Sequence, residues 1–268
     1  SDKKVKSYLF KSIYILVPFF SFLKKRSLTK NELRQIFYVS SITPIIDDYL
    51  DKYHLSKAKL LDILFNNYDD IDIEDVNIRR IVYLLQEFKK IIDIEAIKNI
   101  VNKIIELQYN QYQSIDSEDF EKIKKITFDK GGNSLILFAL ILNLNDNEQL
   151  KVTYYFGALL QLMDDIFDVY YDNRNNCPTL ITKYLGNKSI VFDEINNILM
   201  ELTFSIERLN LKNQKILNNL LTLLLVPSCM YLINISSVKD EKWIKWNIKY
   251  IVLLFKTILY RKKYYVFC

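Results

Sequence analysis

The sequence has few of the residues that form turns. Its 268 residues include only four glycines and four prolines. A protein of many strands needs turn residues roughly every 8 to 12 positions, so this composition argues against a β-rich fold. Half of the residues are hydrophobic and 26% are charged, a balance typical of a globular protein with a large core. A single all-α domain over residues 1–268 is therefore predicted.

Cysteine and histidine are also scarce. The chain has three cysteines, Cys177, Cys229 and Cys268, and one histidine, His54. An odd number of cysteines without metal-type spacing argues against both a disulfide framework and a zinc site. A reducing compartment, the cytoplasm, is the predicted location.

Strong charge bias and long apolar segments are also missing. The net charge is a modest +5, and no arginine-rich tract with interleaved aromatic residues occurs, so no nucleic-acid partner is predicted. The charge suits an anionic ligand or a membrane surface. The apolar run 12–23 is shorter than the roughly 20 residues that span a bilayer, and Pro227 interrupts the run 220–235. Peripheral membrane association stays open, and no membrane-spanning helix is predicted.

Apolar residues recur with helical periodicity along most of the chain. The breaks fall in short polar segments, none of them long enough to be a linker between domains. The pattern predicts helices over residues 4–23, 30–53, 56–66, 74–107, 117–144, 147–172, 189–208, 211–235 and 240–264.

Four aspartates interrupt the apolar segment QLMDDIFDVYYD at residues 161–172. On a helix, Gln161, Asp165, Asp168 and Asp172 follow one stripe, with Asp164 beside it. The other faces are apolar, so the helix can be buried while it presents carboxylates to an internal space. A buried row of like charges is costly unless cations or protons neutralise it.

A second acidic turn lies in the segment PIIDDYLDKY at residues 44–53. Asp47 and Asp48 precede Asp51 by four and three residues, so all three can face one side of a helix. Two such turns facing each other form an oxygen-only site. Such a site suits Mg²⁺, which binds through a few carboxylates together with phosphate oxygens. The predicted metal ligands are Asp47, Asp48, Asp51, Asp165, Asp168 and Asp172.

Each acidic turn alone has a simpler interpretation as a solvated helix face or an N-terminal charge cluster. The acidic patch at residues 69–75 is equally dense but lies among turn-forming polar residues, and it is interpreted as surface. What distinguishes the two turns is their occurrence as a pair, both with helical spacing and both within apolar sequence.

The paired motifs resemble those of the class I isoprenoid synthase superfamily, and most closely those of squalene and phytoene synthases and bacterial large-terpene synthases. Gln161, Asp164, Asp168 and Asp172 reproduce the second motif of that branch, and Gly157 fits too. Asp47 and Asp51 have the spacing of the first motif of phytoene-type synthases, whereas the segment DYLD at residues 48–51 resembles the first motif of large-terpene synthases. The resemblance implies a single-domain helical bundle around a central apolar cavity, with two or three Mg²⁺ ions that bind a prenyl diphosphate.

The sequence departs from the condensing enzymes of this branch at three positions. Those enzymes carry Tyr and Arg before the first motif, where this chain has Ser40 and Pro44, and Arg within the second, where it has Phe167. Because these residues help to bind two diphosphates, their replacement favours a cyclase with one substrate. Pro44 itself predicts either a kink with a freed backbone carbonyl or a helix that begins there.

Further candidates for substrate binding come from basic and polar residues elsewhere. The segment TFDKGGNSLILFAL places two adjacent glycines in a helical pattern, which predicts a break or a close approach, or alternatively a surface loop. Lys130 and Asn133 flank these glycines. Arg174 follows the second motif, and the resemblance implies that a C-terminal basic residue, here Arg261, contacts diphosphate. The predicted substrate-binding residues are Gln161, Asp164, Lys130, Asn133, Arg174 and Arg261.

The resemblance implies a Mg²⁺-dependent class I terpene synthase that ionises a prenyl diphosphate of 20 carbons or more to a terpene hydrocarbon or alcohol. Asp48, Asp51, Asp168 and Asp172 are the predicted catalytic residues. Three alternatives remain: a head-to-head prenyl synthase, a chain-elongating prenyl transferase, and a helical protein that binds isoprenoids without chemistry. The predicted partner is the prenyl diphosphate itself, for a protein that is a monomer or a homodimer.

Overall fold

All regular secondary structure in the described part of the chain is helical, which confirms the all-α class. The computed structural model describes residues 2–53, 57–65, 76–113, 119–209 and 214–234. A π-helical turn, Ser12–Leu16, joins the first two helices. The α-helices are α1 (Asp2–Lys11), α2 (Val17–Leu23), α3 (Lys30–Tyr53), α4 (Lys57–Phe65), α5 (Val76–Lys89), α6 (Ile94–Gln113), α7 (Phe120–Ile141), α8 (Asn147–Arg174), α9 (Leu180–Tyr184), α10 (Lys188–Arg208) and α11 (Gln214–Asn234).

Helices α7 and α8 form the closest helix pair at the centre of the fold. The short connection at residues 142–146 makes them antiparallel neighbours. A Cβ atom on Gly131 would overlap the carbonyl oxygen of Gly157, and one on Gly157 would overlap that of Gly131. The two backbones therefore approach to a distance that only glycine allows. This finding corrects the loop alternative for DKGGNS and the expected helix break, and it confirms a close approach.

Helix α3 carries the first acidic turn. It begins with a reciprocal cap, in which the Thr29 hydroxyl accepts from the Glu32 amide and the Glu32 carboxylate accepts from the Thr29 amide. The helix then runs through Pro44 without ending, so the alternative in which it begins at Pro44 is wrong. Proline has no N–H, and the Ser40 carbonyl four residues earlier therefore lacks its usual helical donor.

The N-terminal helical stretch changes its winding at the π-helical turn. There the Val17 N–H bonds to the Ser12 carbonyl, five residues earlier. Pro18 follows immediately, and a proline ring conflicts with the carbonyl four residues before it, so the wider turn relieves this clash. The Ser12 hydroxyl lies 2.5 Å from that of Ser40, which joins this turn to α3.

The sequence pattern missed two features. One predicted helix over residues 74–107 is two helices, because the chain turns at residues 90–93 and the Asp93 carboxylate caps the new helix by accepting from the Glu95 amide. The short helix α9 was not predicted; Thr179 and Thr182 form its capping box. The predicted helix 240–264 lies outside the described residues.

One helical stretch among the described residues, Val5–Leu23, has the length and apolar character of a membrane span. It begins before the apolar run counted from the sequence. Core helices of folded proteins meet the same criterion, and Phe19, Phe20 and Leu23 of this stretch are buried in the core.

Candidate functional site

A cavity of about 850 Å³ lies within the bundle. That volume falls near the upper end of the roughly 300–1,000 Å³ range of small-molecule sites. Its wall is mostly aliphatic and aromatic, with polar side chains contributed by α1, α3, α6, α7 and α8. These polar residues include Tyr8, Lys11, Asp47, Gln108, Lys130, Gln161, Asp164 and Asp168.

The charged side chains of the wall lie toward one end of the cavity, and apolar side chains predominate at the other, where Ser12 and Ser40 are paired. On α3 the wall runs from Asp47 to Val39, an interval of eight residues or about 12 Å. On α6 it runs from Gln108 to Ile94, which corresponds to about 21 Å. The Gln35 side chain bonds to the Ile91 carbonyl, so the end of α5 lies near the start of α3. The far end is formed by Leu16, Val39, Phe88, Ile94 and Phe138.

Both acidic clusters contribute to the polar end. Asp47 comes from α3, whereas Asp164 and Asp168 come from α8, and all three line the cavity. Helix α1 lies between the clusters. The Tyr8 hydroxyl donates to Asp47 Oδ2 at 3.2 Å, and Lys11 Nζ donates to Asp164 Oδ1 at 2.5 Å.

The electrostatics of these two α1 residues reflect both clusters. The Asp47 carboxylate, together with burial and the charges of Asp164 and Asp168, raises the pKa of Tyr8 well above its ordinary value. For Lys11, burial lowers the pKa, but the surrounding carboxylates outweigh this effect, Asp164 foremost, and the net pKa is raised. Lys11 is therefore a protonated side chain within an acidic environment, although 46% of it is exposed to solvent.

Asp165 differs from its neighbours on α8, because its side chain is buried away from the cavity wall. Burial and the charge of Asp172 raise its pKa well above the usual range, while the Gln161 hydrogen bond at 2.7 Å and the Lys130 charge oppose this shift. The predicted single stripe is thus wrong in one respect. Gln161, Asp164 and Asp168 face the cavity, whereas the close packing of α7 against α8 buries Asp165.

The two candidates on α7 occupy different environments. Lys130 lines the cavity, and its Nζ donates to Gln111 Oε1 at 2.9 Å. Asn133 is buried, does not line the cavity, and donates to the Asp129 backbone carbonyl at 2.5 Å. An asparagine that bonds the carbonyl four residues earlier contributes to the helix itself, so the geometry gives Asn133 a packing role.

The remaining predicted residues lie apart from the wall or outside the described part. Asp48 and Asp51 belong to the last turns of α3, but their side chains are outside the described residues, as is all of Arg261. Asp172 is half-buried and acts on Asp165 through its charge. Arg174 is exposed, and its guanidinium lies 5.7 Å from the ring centre of Tyr170.

The sequence pattern missed several polar residues of this region, among them Tyr8, Lys11, Gln108 and Gln111. Tyr8 and Lys11 are three residues apart, which places them on one face of α1, but the sequence of α1, DKKVKSYLFK, gives no sign of what that face meets. Gln111 belongs to α6 and bonds Lys130 of α7. Only tertiary packing brings these residues to the acidic clusters.

The donor set at the polar end consists of carboxylate oxygens, which hard divalent cations prefer. Among the described residues, no three Asp, Glu, His or Cys side chains converge closely enough to hold a metal ion. Two predicted ligands, Asp48 and Asp51, have side chains outside that set. The chemistry of the described donors fits Mg²⁺, with Asp47, Asp164 and Asp168 at the cavity wall.

The chain matches no protein-family model, no curated protein and no solved structure. Function is therefore inferred from the residues of the cavity.

Proposed function

We propose that the protein is a Mg²⁺-dependent class I terpene synthase that acts on a single prenyl diphosphate of 20 carbons or more. The supporting observation is the polarity of the cavity, in which carboxylates of two helices line one end and apolar side chains line the other. A prenyl diphosphate has the same division, with a highly charged head and a hydrocarbon tail. In this proposal the diphosphate head binds at the polar end of the cavity and the hydrocarbon tail at the apolar end.

Cationic side chains at the polar end suit the diphosphate head. Lys11 and Lys130 line the cavity on opposite helices, α1 and α7, and each can donate to phosphate oxygens. The Tyr8 hydroxyl, bonded to Asp47, orients that carboxylate. Asp47, Asp164 and Asp168 would hold the metal together with Asp48 and Asp51 of the first cluster. When bound, Mg²⁺ would supply Lewis-acid stabilisation of the leaving pyrophosphate.

The apolar end suits the hydrocarbon chain and its allylic cation. When the carbon–oxygen bond breaks, the electron pair leaves with pyrophosphate, and the cation must be kept from water. Phe88 and Phe138 line this end among aliphatic residues, whereas Phe167 lies nearer the carboxylates, between Asp164 and Asp168 on α8. Aromatic faces attract a cation. Ring closure and loss of a proton then give a hydrocarbon, whereas addition of one water molecule followed by loss of a proton from its oxygen gives an alcohol.

The direct test is incubation of the protein with Mg²⁺ and prenyl diphosphates of increasing length, singly and in pairs, followed by identification of the products. A cyclic product from one substrate is expected. A symmetric product of two substrates would instead identify a head-to-head synthase, and a longer linear diphosphate would identify an elongating transferase. No product, with isoprenoid still bound, would identify a binding protein. Asp193→Asn, at an exposed position of α10, is the control that should keep full activity.

A further inference from the structure

A buried glutamine connects the lysine at the cavity to the loop after α8. Gln111 is 4% exposed and lies near the end of α6. Its amide nitrogen donates to the Pro178 carbonyl at 3.3 Å and lies 3.4 Å from Cys177 Sγ. Its amide oxygen accepts from Lys130 Nζ at 2.9 Å. The loop after α8 thus orients the Gln111 amide, whose oxygen contacts the Lys130 ammonium on α7.

The bond to Gln111 restricts the rotamers of the Lys130 side chain. A lysine ammonium sits on a flexible four-carbon stem, and its immobilisation costs rotamer entropy. The bond to Gln111 uses one of its three donors and leaves others for a second acceptor. Because Lys130 also lines the cavity, that second acceptor can be a ligand. The Asp165 carboxylate lies close enough for the Lys130 charge to influence it.

We propose that Gln111 is a positioning residue, which holds the Lys130 ammonium at the polar end of the cavity where it binds the diphosphate of the substrate. This inference rests on the proposed function for the identity of the anion. The position of Lys130 itself does not depend on turnover. The Pro178 carbonyl acts as the fixed point that selects the orientation of the Gln111 amide.

The first experiment measures the affinity of the protein for Mg²⁺-pyrophosphate by calorimetry. Gln111→Leu should weaken binding about tenfold, since hydrogen bonds to charged groups typically contribute that much or more. In a Lys130→Met background the same substitution should have no further effect, because Gln111 acts through Lys130. Gln35→Leu is the matched control. It removes another buried glutamine that bonds a backbone carbonyl, away from the cavity wall, and should leave affinity unchanged.

The second experiment observes Lys130 directly by ammonium NMR on protein labelled with ¹⁵N-lysine. Lys130→Met identifies the signal by its loss. The signal should weaken or disappear in Gln111→Leu, but persist in Gln111→Glu, which keeps an oxygen acceptor. Unchanged pyrophosphate affinity and an unchanged signal in Gln111→Leu would overturn the proposal, as would equal losses of affinity in Gln35→Leu. If the wild-type protein bound no pyrophosphate, the proposed function would fail, while the signal would still decide the role of Gln111.

Discussion

At the scale of single residues, the carboxylates of the polar end are distinguished by their surroundings. Asp47 accepts from Tyr8, and Asp164 accepts from Lys11. Asp165 is buried beside Gln161, whereas Asp168 is exposed at the cavity wall. Of the α8 carboxylates, Asp168 therefore has the most solvated surroundings, which suit a side chain that must exchange water for a hydrated metal ion.

Substitution of Asp168 by Asn should abolish most turnover and leave α8 folded. The amide is nearly isosteric with the carboxylate but lacks the charge that holds a divalent cation. Relief of repulsion among neighbouring carboxylates should keep the melting temperature of the metal-free protein equal to that of the wild type or raise it. Steady-state kinetics and thermal melting measure the two effects. Turnover at the wild-type rate would exclude Asp168 from metal binding.

The three aspartates of the first cluster should respond unequally to the same substitution. Asp48→Asn and Asp51→Asn should be most severe if the chain follows the large-terpene pattern, and Asp47→Asn and Asp51→Asn if it follows the phytoene-type pattern. The kinetics of the three variants separate these patterns. Full activity of Asp51→Asn would contradict both.

Residues within one motif were predictable from the sequence, whereas partners from distant helices were not. Helical spacing places Gln161 and the α8 aspartates near one face of the helix, but it does not show that Asp164 and Asp168, rather than Asp165 and Asp172, line the cavity. Lys11 meets Asp164 across 153 residues of sequence, and no local pattern encodes such a contact. The orientation of Asp165 also depends on tertiary structure, because the approach of α7 decides which side of α8 is covered.

At the scale of elements, the Gly131–Gly157 contact sets the separation of α7 and α8. Gly131→Ala should destabilise the fold by about 1–3 kcal/mol, since the new methyl group overlaps the opposing backbone and outweighs the gain in helix propensity. Gly186→Ala is the matched control, because a Cβ atom there meets nothing within 4 Å. Denaturant unfolding compares them. Equal effects of the two substitutions would show that α7 and α8 do not approach closely.

The cap of α3 should make stability depend on pH. Hydrogen bonds from Arg26, and then from Lys24 and the Thr29 amide, outweigh partial burial and hold the pKa of Glu32 far below its usual range. A carboxylate with a lowered pKa stabilises the folded state at pH values above the pKa of the unfolded chain, about 4.3. This stabilisation is lost as the pH falls from there toward the pKa of the folded state.

Glu32→Gln should therefore cost about 1 kcal/mol at pH 7. Its difference from the wild type should shrink at pH 3, where the unfolded chain already binds the proton. Melting curves of both proteins at the two pH values test this expectation. A difference that grew on acidification would have the wrong sign for this ion pair.

Helix α3 was predictable in its full extent, Lys30–Tyr53, because its apolar period is long and uninterrupted. The break between α5 and α6 could not be predicted from the sequence. Its residues KIID include neither glycine nor proline, and the apolar pattern continues across it. A single capping aspartate, Asp93, marks the start of the new helix. Aspartates are also common on the exposed faces of helices, so Asp93 alone does not signal a helix start.

At the scale of the whole molecule, two acidic clusters about 115 residues apart in sequence contribute to one end of one cavity, the first through Asp47 and the second through Asp164 and Asp168. The all-α class followed from composition, but this juxtaposition depends on how α1, α3 and α8 pack. Metal and diphosphate are therefore expected to complete one shared site.

Thermal melting with Mg²⁺, with pyrophosphate and with both tests this claim most directly. A ligand bound only by the native state at a hundredfold excess over its dissociation constant stabilises the fold by about 2.7 kcal/mol, a shift of several degrees for a chain of this size. If the two clusters share one site, the combined shift should lie well above the sum of the separate shifts. That excess should disappear in both Asp51→Asn and Asp168→Asn. Merely additive shifts that persist in these variants would contradict a site shared by the two clusters.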